Sequence, residues 1–345
     1  MLLNQTASEY RDSRSQKGGN KMVGYVRALI VFASVVLLAI PLAFSPVCAA
    51  GKFKAAAVMP GTINDGSFNQ SCYEGLKAIE KELGAEIAYS EKVSQADQAE
   101  NLTDYARRGF DFVIAHGGEM DDATLKVAAK FPAVKFFVTN GAAKAANVAS
   151  GGVNPSHYGY LCGVLGGKMT KTNKLATVSG NEFPLVLTVY QSFTKGVKDY
   201  KPNADVGIIY TGSWDDVAKA KEAAFAQIAK GVDVLFPVLD LATLGIIEGA
   251  REKNVYVFGF SKDQLDVAPK NILGSAIQNY GAVLLEVAKL VKEGGFVGGK
   301  TYSLGLETPG VTGLGRINDI VPKDVKDLLQ TVTTDIIAGK IKTTP

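Results

Sequence analysis

Chemistry that depends on scarce residues is mostly missing from this chain. Of 345 residues only 3 are cysteine and 2 are histidine. No cysteine or histidine stands at metal-ligand spacing, and His116 and His157 lie far apart. No metal and no cofactor are therefore expected. Gly-x-Ser-x-Gly is absent, and neither Gly117-Gly118 nor Gly151-Gly152 completes a dinucleotide-binding fingerprint. Internal repeats and low-complexity segments are lacking too. The formal charge of +3 lies entirely in the first 50 residues, where Arg11, Arg14, Lys17, Lys21 and Arg27 face only Glu9 and Asp12. Without them, 32 basic residues balance 32 acidic ones. No basic patch remains to attract a nucleic acid polymer or an anionic membrane.

The leader has a use of its own. Lys21 and Arg27 precede an apolar stretch from Ala28 to Phe44, interrupted by Pro41. The small-residue site Val47-Cys48-Ala49-Ala50 follows. Charged region, apolar core and small residues are the parts of a secretory signal, expected over residues 1–50 with cleavage after Ala49 or Ala50. Met22 offers an alternative start. Cys48 raises a lipoprotein anchor, against which stands Pro46-Val47, where a small residue is usual. The mature protein is expected in the periplasm or otherwise exported. Cys72 and Cys162 survive processing, either as an oxidised pair or as buried thiols.

After the leader, strand-like and helix-like segments alternate. Strands are expected at Lys54–Met59, Glu86–Ser90, Phe112–His116, Lys135–Thr139, Leu175–Ser179, Asp205–Tyr210, Val234–Pro237 and Val255–Phe260. Helical patterns fill the intervals. Near-continuous Val/Ile/Phe strands are those of parallel sheets covered on both faces. There are too many for one sheet of usual size. The fold class is therefore α/β, with two doubly wound parallel-sheet lobes joined by a hinge. A glycine- and proline-rich seam at Gly151–Pro155 and a crossing near Asn271–Gln278 set the lobes. One takes 51–153 plus about 275–310, the other 154–274 plus about 311–345.

Turns at the carboxyl ends of such strands are where open α/β sheets bind ligands. The first, Gly61-Thr62-Ile63-Asn64-Asp65-Gly66-Ser67-Phe68-Asn69-Gln70, carries a carboxylate (Asp65), a hydroxyl (Ser67), an aromatic face (Phe68) and an amide (Asn69). Its plainer reading is a helix start, with Ser67 as cap and Phe68 in the core. Asp122 follows the third strand and either caps its helix or meets a ligand. In the other lobe, Tyr210-Thr211-Gly212-Ser213-Trp214-Asp215-Asp216 contains the only tryptophan. Asp240 follows the next strand and Ser261 the last. Phe68 and Trp214, from opposite lobes, are placed to sandwich a flat ring; the rival reading is inter-lobe packing. Base–aromatic stacking contributes about 1–3 kcal/mol per base.

Asn64-Asp65-Gly66-Ser67-Phe68-Asn69, the segment Gly159 to Thr172 and Gly212-Ser213-Trp214-Asp215-Asp216 together resemble the basic membrane protein family. Its members are substrate-binding proteins of ABC importers, purine nucleoside receptors among them. The resemblance runs from about Lys52 to the last helix. It implies a type I periplasmic-binding fold, a purine held between two aromatics, and an inner-membrane ABC permease as partner to a receptor expected to be monomeric. Asp65, Phe68, Asn69, Asp122 and Trp214 match base-binding or neighbouring positions, Trp214 standing where many members have Phe. Two departures weaken the case for a ribose. Ser261 stands where nucleoside receptors have an aspartate for the sugar hydroxyls, and Gln278 where they have a lysine. Asp240 stands where many members have glycine, and a carboxylate there can meet ring N–H groups.

The expected ligand is a flat heterocycle, purine base or nucleoside, with the free base favoured. The expected protein is a binder, not an enzyme, since no nucleophile is poised beside a base. The rival is a secreted nucleoside hydrolase with Asp65 as general base and Asp121 and Asp122 among its carboxylates.

Overall fold

A computed structural model describes residues 51–345. The expected signal segment, Cys48 included, lies outside the described residues. Among the described residues, twelve strands are β1 (Lys54–Val58), β2 (Glu86–Ser90), β3 (Phe112–His116), β4 (Lys135–Thr139), β5 (Val148–Val153), β6 (Lys174–Ser179), β7 (Asp205–Tyr210), β8 (Val234–Val238), β9 (Tyr256–Ser261), β10 (Ile272–Gln278), β11 (Thr301–Leu304) and β12 (Thr312–Leu314). The α-helices are α1 (Phe68–Leu83), α2 (Gln98–Arg107), α3 (Asp121–Ala128), α4 (Pro155–Met169), α5 (Pro184–Tyr200), α6 (Val217–Ala229), α7 (Thr243–Lys253), α8 (Tyr280–Lys292) and α9 (Lys323–Ile337).

The strands form two six-stranded sheets, ordered β11-β5-β4-β3-β1-β2 and β12-β10-β9-β8-β6-β7. Every residue of β3 and of β8 is buried, because helices cover both faces of each sheet. Helix α1 buries Cys72, Gly75, Leu76 and Ile79, one face at helical spacing. Helix α4 is buried almost all round. Its close neighbour is α5, where Cβ atoms on Gly163 and Gly196 would collide with the Phe193 and Tyr160 carbonyls. This is the two-lobed parallel α/β architecture of type I periplasmic-binding proteins.

The chain passes between the sheets three times: after β5, after β10, and between β11 and β12. An asparagine caps the helix after each of the first two passages. Asn154 accepts the Ser156 N–H and Asn279 that of Ala282, so each connection turns sharply into a helix. Strand β10 lies wholly in the second sheet, so that passage follows Gln278 and not residue 275. β5 and β12 were not expected as strands; glycines at 151, 152 and 313 interrupt their apolar pattern. β12 runs antiparallel to β10, the exception to an otherwise parallel second sheet. Cys72 and Cys162 are buried free thiols and not a pair; burial pushes both thiols up. No helix of the described residues is long and apolar enough to cross a membrane.

Candidate functional site

The turn from β1 to α1 is organised by Asp65. One of its oxygens accepts the N–H groups of Ser67 (2.9 Å) and Gln70 (3.0 Å). The other accepts the Asn69 N–H (2.9 Å) and its Nδ2 (2.7 Å). A helix start leaves several N–H groups without partners, and this carboxylate satisfies them. Capping therefore falls to Asp65 and not to Ser67. Asn69 Oδ1 in turn accepts the Gly61 N–H at 3.1 Å. Both residues brace the loop, and with four donors on its oxygens Asp65 is poorly placed to act as a general base.

Relieved of capping, Ser67 points elsewhere. Its Oγ donates to Asp240 Oδ1 at 2.6 Å, linking residues 173 apart in sequence and in opposite lobes. Burial pushes the Asp240 carboxyl up to about 6; the Ser67 hydrogen bond opposes this, while nearby Asp215 and Asp65 add to it. Asp240 is anchored beside the tryptophan turn, because the Trp214 carbonyl accepts the N–H groups of Asp240 and Ala242, both at 3.1 Å. One bond thus draws the turn carrying Phe68 onto the Asp240 turn, which is itself hydrogen-bonded to the Trp214 backbone. Between the lobes lies a cavity of about 330 Å³ lined by Asp65, Ser67, Asp240, Leu244, Phe260 and Lys262 among others. That is the low end of the range for small-molecule sites.

Each aromatic has a partner inside its own lobe. The Phe68 ring stacks on His116 with centroids 3.7 Å apart and planes at 23°, and meets the Tyr280 edge at 5.0 Å. His116 is fully buried at the end of β3. Its Nε2–H donates to the Phe68 carbonyl at 3.0 Å, and its Nδ1 accepts the Thr139 hydroxyl at 3.1 Å. Burial lowers its pKa to about 4, so the ring is neutral. Trp214 lies over Gly180, where any Cβ would strike the indole. Its neighbour is the exposed Phe183, with centroids 6.0 Å apart.

Neither Phe68, Asn69 nor Trp214 is among the residues that line the cavity, and three further candidates also lie away from it. Asp122 is exposed on the first turn of α3 and is not among the cavity-lining residues; its neighbour Asp121 accepts the Ala142 and Ala143 N–H groups. Ser261 ends β9 with φ of +70°, a left-handed conformation costing about 1 kcal/mol for a residue with a Cβ. Its neighbours Phe260 and Lys262 line the cavity, while Ser261 does not. Gln278 is buried at the hinge. Its Nε2 donates to Tyr158 Oη, and its Oε1 accepts from Tyr280 Oη at 3.3 Å. Tyr280 Oη also accepts from Asn140 Nδ2 at 3.0 Å. This chain ties the end of β4, the starts of α4 and α8, and the end of β10.

Sequence reasoning gave no role to His116, Phe260, Lys262, Tyr158, Tyr280 or Asn140. Position at a strand end was a signal for His116 and Lys262. The tyrosines, each in the first turn of a helix, carried none.

A two-lobed α/β chain with a cavity between its lobes has the architecture of type I periplasmic-binding proteins. Residues 52–343 match the family of PnrA-like ABC transporter substrate-binding proteins, the Bmp family, and the chain belongs to it. It is 31% identical over 311 residues to the ABC transporter nucleoside-binding protein BmpA of Lactococcus lactis subsp. cremoris, covering 84% of this chain and 88% of that one. It is 28% identical over 272 residues to the transcriptional activator protein med of Bacillus subtilis, covering 79% and 84%. In fold it is similar to a solute-binding protein of an ABC transporter system from Aeropyrum pernix, with a TM-score of 0.73, 22% identity and coverage of 85% and 94%. A transcriptional activator of the comK gene from Bacillus halodurans is equally similar, with a TM-score of 0.73, 24% identity and coverage of 83% and 97%.

Proposed function

We propose that this chain is an exported receptor that binds a flat heterocycle, a purine base or nucleoside, between its lobes and delivers it to an ABC permease. The observation that carries this reading is the Ser67–Asp240 hydrogen bond. It joins the Phe68 turn to Asp240, whose N–H the Trp214 carbonyl accepts, beside a cavity of about 330 Å³ that Ser67 and Asp240 both line. The nucleoside-binding name of the Lactococcus relative supports the ligand class. Phe68 is a platform held flat by His116 and Tyr280. Trp214 supplies a second ring from the opposite lobe. Ligand favours closure because only the closed state brings both turns to it.

The free base is favoured over the nucleoside. Both ends of the Gln278 amide are engaged by tyrosines, and Ser261 is not among the residues that line the cavity. The Gln278 amide is then already engaged and offers no free group to a sugar. Calorimetric titration with adenine, guanine, hypoxanthine and their nucleosides tests this. Consistently tighter nucleoside binding overturns the preference for the base, and no binding of either class overturns the reading. Incubation with inosine separates a receptor from a hydrolase, since only the latter releases hypoxanthine.

A further inference from the structure

Asp240 does two things at once in the closed cleft. Oδ1 accepts the Ser67 hydroxyl at 2.6 Å, and among the described residues no protein donor reaches Oδ2. The residue lines the inter-lobe cavity, and its backbone N–H is tied to the Trp214 carbonyl. An ionised carboxylate only accepts hydrogen bonds. The other carboxylates that line the cavity are engaged elsewhere, and Lys262 is the one basic residue among the lining. Asp65 is occupied by the α1 start, and Asp263 and Asp266 are held by Arg316. Lys262 lies close to Gly66.

Resting on the reading that a flat heterocycle occupies this cleft, we propose that Asp240 is the specificity-determining residue. It selects rings whose edge presents an N–H donor over rings whose edge presents a bare acceptor nitrogen. Among purines this means the 6-oxo class, with a protonated N1, over the 6-amino class, whose N1 is an acceptor. Where the ring is held with N1 facing the free Asp240 oxygen, the 6-amino class sets two acceptors against each other, and its 6-amino N–H reaches that oxygen only if the ring shifts in the site. A buried polar mismatch of that kind discriminates more strongly than a difference in shape.

The test is calorimetric titration of the full chain with two matched pairs, hypoxanthine against adenine and inosine against adenosine. Each pair differs only at the N1/C6 edge, so the outcome does not depend on whether a sugar is tolerated. Wild type is expected to bind the 6-oxo member at least about tenfold tighter in whichever pair binds. Asp240→Asn keeps an acceptor for Ser67 but adds an N–H donor. It is expected to shrink that ratio to about threefold or less. Ser67→Ala is expected to weaken all ligands alike and leave the ratio intact. Equal wild-type affinity within a pair overturns the proposal while leaving the receptor reading in place. So does an Asp240→Asn variant that loses affinity uniformly, which makes Asp240 a lobe latch alone. Absence of binding by all four compounds removes the receptor reading and this proposal with it.

Discussion

Ser67 and Asp240 meet at 2.6 Å across the gap between two lobes. The hydroxyl is free to do so because Asp65 has taken over the helix cap. Ser67→Ala should leave Asp240 without its donor in the closed state. A charge-assisted bond of this kind contributes about 1.5–3 kcal/mol. Affinity for ligand should fall by about tenfold or more, and small-angle scattering should show a larger open fraction. An unchanged affinity would show that the bond does not hold the lobes together.

The sole tryptophan and a core phenylalanine separate binding from folding. Phe193 is fully buried and packs 4.9 Å from Phe236. Phe193→Ala should destabilise the fold by about 3–5 kcal/mol. Trp214→Ala should cost less in thermal melting and more in ligand titration. Tryptophan emission of the wild type should also change on ligand addition. A silent emission spectrum at saturating ligand would place the indole outside the site.

His116 makes stability depend on acid. Its pKa is lowered to about 4 by burial, against the ordinary 6.5, while the Phe68 carbonyl and the nearby Asp65 charge partly oppose the shift. The depressed value means that the folded state disfavours the proton. The stabilisation is full above pH 6.5 and is lost as pH falls toward 4. The loss approaches about 3 kcal/mol. His116→Gln should flatten the melting profile over that window relative to wild type. Asp240, raised to about 6, acts in the opposite sense, so stability it contributes is lost as pH rises through 6. Comparing each variant with wild type separates the two.

Tyr158 is fully buried and is the acceptor for the Gln278 amide. Tyr158→Phe removes that acceptor while preserving shape. An unsatisfied buried donor costs about 1–3 kcal/mol. Melting should drop accordingly, and the opening angle of the ligand-free protein should change because the network spans the hinge. Normal melting with unaltered scattering would show that the network is not part of the hinge.

Much of the architecture was legible before any coordinates. The β3 run Phe112–His116 and the β8 run from Val234 read as buried strands because covered parallel strands need no polar alternation. Strands β5 and β12 were not legible. Their glycines remove the side chains from which a pattern is read, and pairing with β11 and β10 defines them instead.

The chemistry of the turns divides the same way. Sequence alone determined that Asp65, Ser67, Phe68, Trp214 and Asp240 stand at the carboxyl ends of strands, because alternation of strand and helix is a local property. It could not assign their partners. Asp65 and Asn69 are occupied within their own turn, Gln278 is held by two tyrosines, and Ser67 reaches a carboxylate 173 residues away. Hydrogen bonds saturate and act over about 3 Å. Which polar groups are consumed in holding the fold and which remain to face a ligand is therefore settled only when distant segments come together.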